Sequence, residues 1–141
     1  MKITFKNGSE LNCIEAVEHE EFCLGSNRHV LTVICEQDAI SLDALNAILG
    51  DTANAKTVSI ENMVQEEKVV NGNLVVTEIP VEKPYEGYTM KLKVGVEPAL
   101  VQPEGPDSAA VYADRLVFKL GRPTFIEQRL AAIGIMPNAM Q

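Results

Sequence analysis

The chain has 141 residues, 46% of them hydrophobic and 23% charged, with a net charge of −8. That length and balance fit one soluble globular domain, or two very small ones sharing a core, and no apolar run is long enough for a signal peptide or a bilayer span. The charge is uneven: residues 1–70 carry 12 acids and 5 bases, giving −7, and residues 71–141 carry 8 and 7, giving −1. The first half would therefore repel a phosphate backbone, and no nucleic-acid partner is expected.

"KITFKNGSELNC" opens with alternation, Ile3 and Phe5 against Thr4 and Lys6, and Asn7-Gly8 supplies residues that tolerate positive φ. Leu11 and Cys13 resume the apolar face, which predicts a hairpin. "EHEE", Glu18 to Glu21, and "GSNRH", Gly25 to His29, are expected as solvated connection and loop. "HVLTVIC", His29 to Cys35, is apolar on both alternations, as a strand covered on both faces would be. "SLDALNAILG" is a helix with Ser41 as N-cap, Leu42, Leu45, Ile48 and Leu49 as its apolar stripe, and Gly50 at its end. A linker then leads to a short strand, "KTVSI".

The second half begins with "QEEKVVNGNLVVTEI", a hairpin turning at Asn71-Gly72. Its outer part has little to bury, so it is expected to project as an arm or to lie at a sheet edge, and to be mobile beyond its base. "GYTMKLKVGVE" alternates Tyr88, Met90, Leu92, Val94 and Val96 against Thr89, Lys91 and Lys93, a half-buried strand. "PALVQPEGPDSAA" is expected as a loop, and "AVYADRLVFKL" as the last strand.

The chain closes with "GRPTFIEQRLAAIG". Thr124 and Glu127 have the spacing of a capping box, Arg129 lies toward the negative end of the helix, and Gly134 supplies a stop. So short a helix is not stable alone in water. Its stripe, Ile126, Leu130 and Ile133, has two destinations: the chain's own sheet, as a lid, or another protein, as a docking face. The lid is the favoured expectation. Both halves begin with a hairpin turning at Asn-Gly, which leaves a distant duplication open.

Chemistry-bearing residues are few. Cys13, His19, Cys23, His29 and Cys35 fall within 23 positions, but no Cys-x-x-Cys or second close pair gives the ligand spacing of a zinc site. An odd number of cysteines without a secretion signal indicates free thiols. Glu15, Glu18, Glu20 and Glu21 lack the alternating Asp/Asn ligands and glycine of a calcium loop. Ser26 and His29 lack a nucleophile elbow and a base from a distant segment. No Walker or Rossmann fingerprint occurs, and a chain with no Trp and three Tyr has few aromatics with which to line sugar subsites. No catalytic, cofactor or metal residue is therefore assigned.

The order of these stretches, from the "KITFKNGSELNC" hairpin through Gly-x-x-Arg, "SLDALNAIL" and "GYTMKLKVGVEPALV" to "RLVFKLGRPTFIEQRLAAIG", is similar to that of small proteins encoded among tail and baseplate genes of prophages in Gram-positive bacteria. Thr124, Phe125, Glu127, Gln128 and Leu130 match the start of their last helix. Gly134 and Pro137 depart from relatives in which that helix continues as a coiled-coil-like tail.

The expected architecture is α+β, predominantly antiparallel β-sheet, sandwich- or barrel-like, with two short peripheral helices. It forms a single compact domain over 1–141, within which two β-rich halves, 1–62 and 63–141, could share the core. The resemblance implies a non-enzymatic structural or accessory protein of a phage tail or baseplate module. It would contact other protein subunits, with self-association left open and no membrane or nucleic-acid partner. It would be cytoplasmic in the producing bacterium and virion-associated after assembly. The alternatives are a small cytoplasmic adaptor or regulatory domain and, further off, a metal-dependent hydrolase built on His19, Cys23 and His29.

Overall fold

The computed structural model describes residues 1–133. The strands are β1 (Lys2–Thr4), β2 (Glu10–Asn12), β3 (Glu15–Cys23), β4 (Ser26–Glu36), β5 (Thr57–Val70), β6 (Asn73–Glu86), β7 (Met90–Gln102) and β8 (Val111–Gly121). Helix α1 (Leu42–Leu49) and a 3-10 turn (Thr52–Ala55) lie between β4 and β5, and α2 (Phe125–Ala132) follows β8. The strands form two four-stranded antiparallel sheets, β2-β1-β5-β6 and β3-β4-β8-β7. The fold is therefore α+β and mostly antiparallel. Gly134 and Pro137, expected to stop the last helix, lie outside the described residues.

One face of each sheet feeds a common buried cluster. The first sheet contributes Ile3, Leu11, Val58 and Ile60, and the second contributes Leu31, Val33, Cys35, Leu116, Phe118 and Leu120. Phe5 and Phe118 meet across it, with ring centroids 6.4 Å apart. Helix α1 is capped by Ser41, whose Oγ accepts from the Ala44 amide at 3.2 Å. It adds Leu45 and Leu49 to the cluster, whereas Leu42 is turned out to solvent, so the stripe buries fewer positions than its spacing offered. Each sheet takes strands from both sides of residue 62, which itself lies within β5.

Three connections expected in the sequence are strand. "EHEE" lies inside β3, "NRH" belongs to β4, and β7 runs on through "PALVQ" to Gln102. The physical reason is pairing. Acidic residues on β3 are tolerated because that strand is a sheet edge with one face wet, and β3 meets β4 in unbroken register from Glu15↔Ile34 to Cys23↔Ser26. The Leu24-Gly25 turn between them has positive φ at both residues, 53° and 81°, as a tight two-residue hairpin turn requires. A β-bulge between Lys91 and Lys93 interrupts the simple alternation expected for β7.

The Asn71-Gly72 hairpin forms as expected, with φ of 52° and 78° at the turn, but its strands are far longer than "KTVSI" suggested, at 14 residues each. Only Ser59, Ile60 and Glu61 of β5 pair with β1. Beyond Glu61 the β5–β6 ribbon runs on as a two-stranded arm, exposed along most of its length.

Candidate functional site

The closing helix explains itself through one buried cation. Thr124 caps α2: its Oγ1 accepts from the Glu127 amide at 3.2 Å, and the Thr124 amide donates to Glu127 Oε1 at 2.9 Å. The same carboxylate receives Arg28, with Nη1 to Oε1 at 2.6 Å and Nη2 to Oε2 at 3.3 Å. Arg28 is only 3% exposed. A buried guanidinium must have its donors satisfied. Nε donates to the Cys23 carbonyl at 3.1 Å, Nη2 to the Leu24 carbonyl at 3.4 Å, and Nη1 also approaches Met90 Sδ at 3.1 Å and the Arg122 carbonyl at 3.5 Å. One side chain thus ties the β3–β4 turn, the start of β7 and the start of α2 together.

Gly121 makes room for this arrangement. A Cβ there would stand 2.9 Å from Leu92 Cδ1 and 3.3 Å from the Arg28 stem. The hydrogen bonds from Arg28 hold the Glu127 carboxyl below the usual carboxylate range against the opposing effect of burial, and the cap amide of Thr124 adds to the lowering.

Beside this cluster, Tyr88 is fully buried, donates its hydroxyl to Glu18 and lies under the Arg122 guanidinium, 4.8 Å from the ring centroid. Burial, and then the Glu18 carboxylate, push its phenol up. Tyr88, Arg122 and Glu18 therefore act as structural contacts that join the β6–β7 connection to the opposite edge of the second sheet.

The lid expected of α2 is not what the helix provides. Ile126 and Ile133 are 70% and 73% exposed and Leu130 is 37% exposed, and no α2 residue is buried. The helix is held by its capping box and the Arg28–Glu127 pair, at its N-terminal end. That leaves Ile126 and Ile133 facing outward with the exposure of a docking face, and Leu130 between them about two-thirds covered. Leu130→Ala should accordingly cost about 1 kcal/mol in denaturant titration, well short of a fully buried leucine. A loss in the range of about 2–5 kcal/mol, typical of a buried leucine, would restore the lid.

The five soft-ligand residues are dispersed by the ladder. His19 stands opposite Val30 and Glu20 opposite His29. Neighbouring register positions project to opposite faces, so the two histidines leave the sheet on different sides. Each meets an acid instead, His19 at 3.3 Å from Glu21 and His29 at 3.8 Å from Glu20. Cys13 and Cys35 are buried thiols in the core, and Cys23 is half-buried. Burial raises the Cys13 thiol and pushes Cys35 up to about 12, with Cys13 as the second cause. Among the described residues no group of three or more His, Cys, Asp or Glu side chains is arranged to hold a metal ion. The acids of "EHEE" likewise divide between partners, Glu18 to Tyr88 and Glu21 to Lys119 at 3.5 Å. Ser26 opens β4 opposite Cys23.

Arg28 is not legible as a functional residue in the sequence, where "GSNRH" reads as a loop. The available signal is phase: Arg28 falls on the same alternation as Val30, Thr32 and Ile34 of an otherwise apolar strand, where a cation needs a partner. The spacing of Glu127 from Thr124 indicates its capping role but not its ion pair with Arg28.

A second exposed apolar surface covers the arm. Met63, Val69, Leu74 and Val76 fall on one face, and Val64, Val70, Val75 and Val81 on the other, all exposed by 42% or more. No family model, curated protein or solved structure matches the chain. Among the described residues no helix is long and apolar enough to cross a membrane.

Proposed function

We propose that this chain is a non-enzymatic structural or accessory protein of a phage or prophage tail or baseplate, acting through protein–protein contacts. One observation carries the contact-making part: the apolar residues displayed along the β5–β6 arm. Their exposed surface amounts to roughly 300–400 Å² on each face of the arm, the size of patch that on a monomer is often functional. The exposed Ile126 and Ile133 of α2 support the same reading. The tail or baseplate assignment rests on the resemblance of the residue order to that of prophage-encoded proteins, and on this reading the chain stays in the cytoplasm until assembly carries it into the particle.

The test is fractionation. Particles induced from a bacterium carrying the gene are banded on a density gradient, and the bands are analysed by peptide mass spectrometry. The expected result is co-banding of this chain with tail subunits, together with loss of intact tails when the gene is deleted. A chain found only in the free cytoplasmic fraction, with normal tails in the deletion strain, would overturn the phage assignment in favour of a cytoplasmic adaptor.

A further inference from the structure

The backbone phase of the first sheet determines which groups the arm presents. The Cys13 amide donates to the Met1 carbonyl, and the Phe5 amide donates to the Ser9 carbonyl, each at 2.9 Å. Odd residues of this hairpin therefore turn their polar groups toward β2, and Lys2 and Thr4 turn theirs toward β5. Their register partners Glu61 and Ser59 face β1, so Val58, Ile60 and every second residue after them face β6. On β6 the same phase turns Leu74, Val76, Glu78, Pro80 and Pro84 to the open edge. The two prolines fall where they remove no ladder bond, and they deny that part of the edge to another strand.

The distal part of the edge has no such protection. Asn73 to Thr77, "NLVVT", is uncharged, and Leu74, Val76 and Glu78 offer free backbone donors and acceptors outward. The outer edge of β5 differs. It carries Glu66, Glu67 and Lys68 in its middle, charges of the kind that blunt an edge, and its Met63 amide is occupied by Asn62 Oδ1 at 3.0 Å.

We infer that the distal edge of β6, Leu74 to Glu78, pairs with the same edge of a second copy of this chain, antiparallel about a two-fold axis. Placing the axis at Val76 sets Val76 against its counterpart, Leu74 against Glu78 and Val75 against Thr77. No charged residue then opposes a like charge. The pairing exchanges about six backbone hydrogen bonds through three hydrogen-bonded residue pairs. It ends where Pro80 would need a donor, and it joins the two arms into one four-stranded sheet, β5-β6-β6-β5. A contact of five edge residues from each copy is smaller than a standard interface of about 1,600 Å², so the dimer is reversible and concentration-dependent. Each copy carries −8, so added salt strengthens the association by screening the repulsion. The inference is independent of the phage assignment.

The test uses the full chain. Sedimentation velocity from about 1 µM to about 1 mM should show a monomer–dimer equilibrium that shifts toward dimer with salt. Amide exchange at Leu74, Val76 and Glu78 should slow as the dimer forms. Val76→Pro removes only an outward donor, and should weaken the dimer at least ~10-fold with an unchanged circular dichroism spectrum. Under a mild oxidant, Val76→Cys should give a linked dimer, because the paired Cα atoms stand about 5.5 Å apart. Leu74→Cys, which lies opposite Glu78, should give none. A chain monomeric throughout the range overturns the inference. So does a dimer indifferent to Val76→Pro, or one abolished by Leu130→Glu, which would place the contact on α2.

Discussion

Glu127→Ala is expected to destabilise the protein by about 3–5 kcal/mol, the cost of leaving a buried charge without its partner. Arg28 would keep the carbonyls of Cys23, Leu24 and Arg122, but none of these carries the compensating negative charge. The same change removes half of the capping box, because Glu127 Oε1 also accepts from the Thr124 amide. Undocking α2 would expose Arg28 to water and relieve part of this cost, so rapid amide exchange across Phe125–Ala132 should accompany the shift in the denaturant midpoint. Glu127→Gln keeps an acceptor for the cap and for Arg28 but not the charge, and should lie between wild type and alanine.

The pair also sets an acid limit. The folded-state pKa of Glu127 is depressed by Arg28. Its contribution is therefore fully present above the unfolded carboxyl value of about 4.3 and is lost as pH falls through the lower folded value. The stability difference between wild type and Glu127→Gln should shrink over that interval. A difference that stays constant from pH 7 down through it, or a loss under about 1 kcal/mol for Glu127→Ala at neutral pH, would show that the ion pair does not hold the helix.

The second large effect is expected at Phe118. The residue pairs with Val33 on one side and Val94 on the other, at the middle of the second sheet, and its ring meets Phe5 of the first. Phe118→Ala should cost about 3–5 kcal/mol, from lost burial and from a cavity between two sheets that cannot both close upon it. Phe118→Leu keeps most of the volume and should cost under about 1.5 kcal/mol. The comparison is read from denaturant midpoints, with an unchanged slope indicating that the same surface is exposed on unfolding. Similar, small losses for both variants would mean that the two sheets do not depend on this contact.

These two positions show how unevenly the molecule was legible in its sequence. Phe118 lies in "AVYADRLVFKL", expected as the last strand, although the strand reading alone does not say which of its faces is buried. The capping box of α2, the Ser41 cap of α1 and both Asn-Gly hairpins were clear, because each depends on residues within four positions of one another. Failures came where a strand was defined by its partner. β3 was hidden by its acids, the start of β4 by a glycine and an asparagine, and the outer half of β7 by prolines. All three are held by ladder bonds to neighbours that local composition does not reveal.

What the sequence determined by itself is therefore the local grammar: an antiparallel, mostly β chain with two capped helices, an arm turning at Asn71-Gly72, and an apolar stripe at Ile126, Leu130 and Ile133. Only the tertiary structure decided where that stripe faces. Arg28 and Glu127 are separated by 98 intervening residues, and their meeting docks α2 by its N-terminal end and leaves Ile126 and Ile133 uncovered. The structure likewise decided that the arm extends beyond its three-residue contact with β1, so that valines patterned for burial stand in solvent. The physical reason is common to both. Periodicity records which residues share a face, but burial depends on what a distant segment brings against that face.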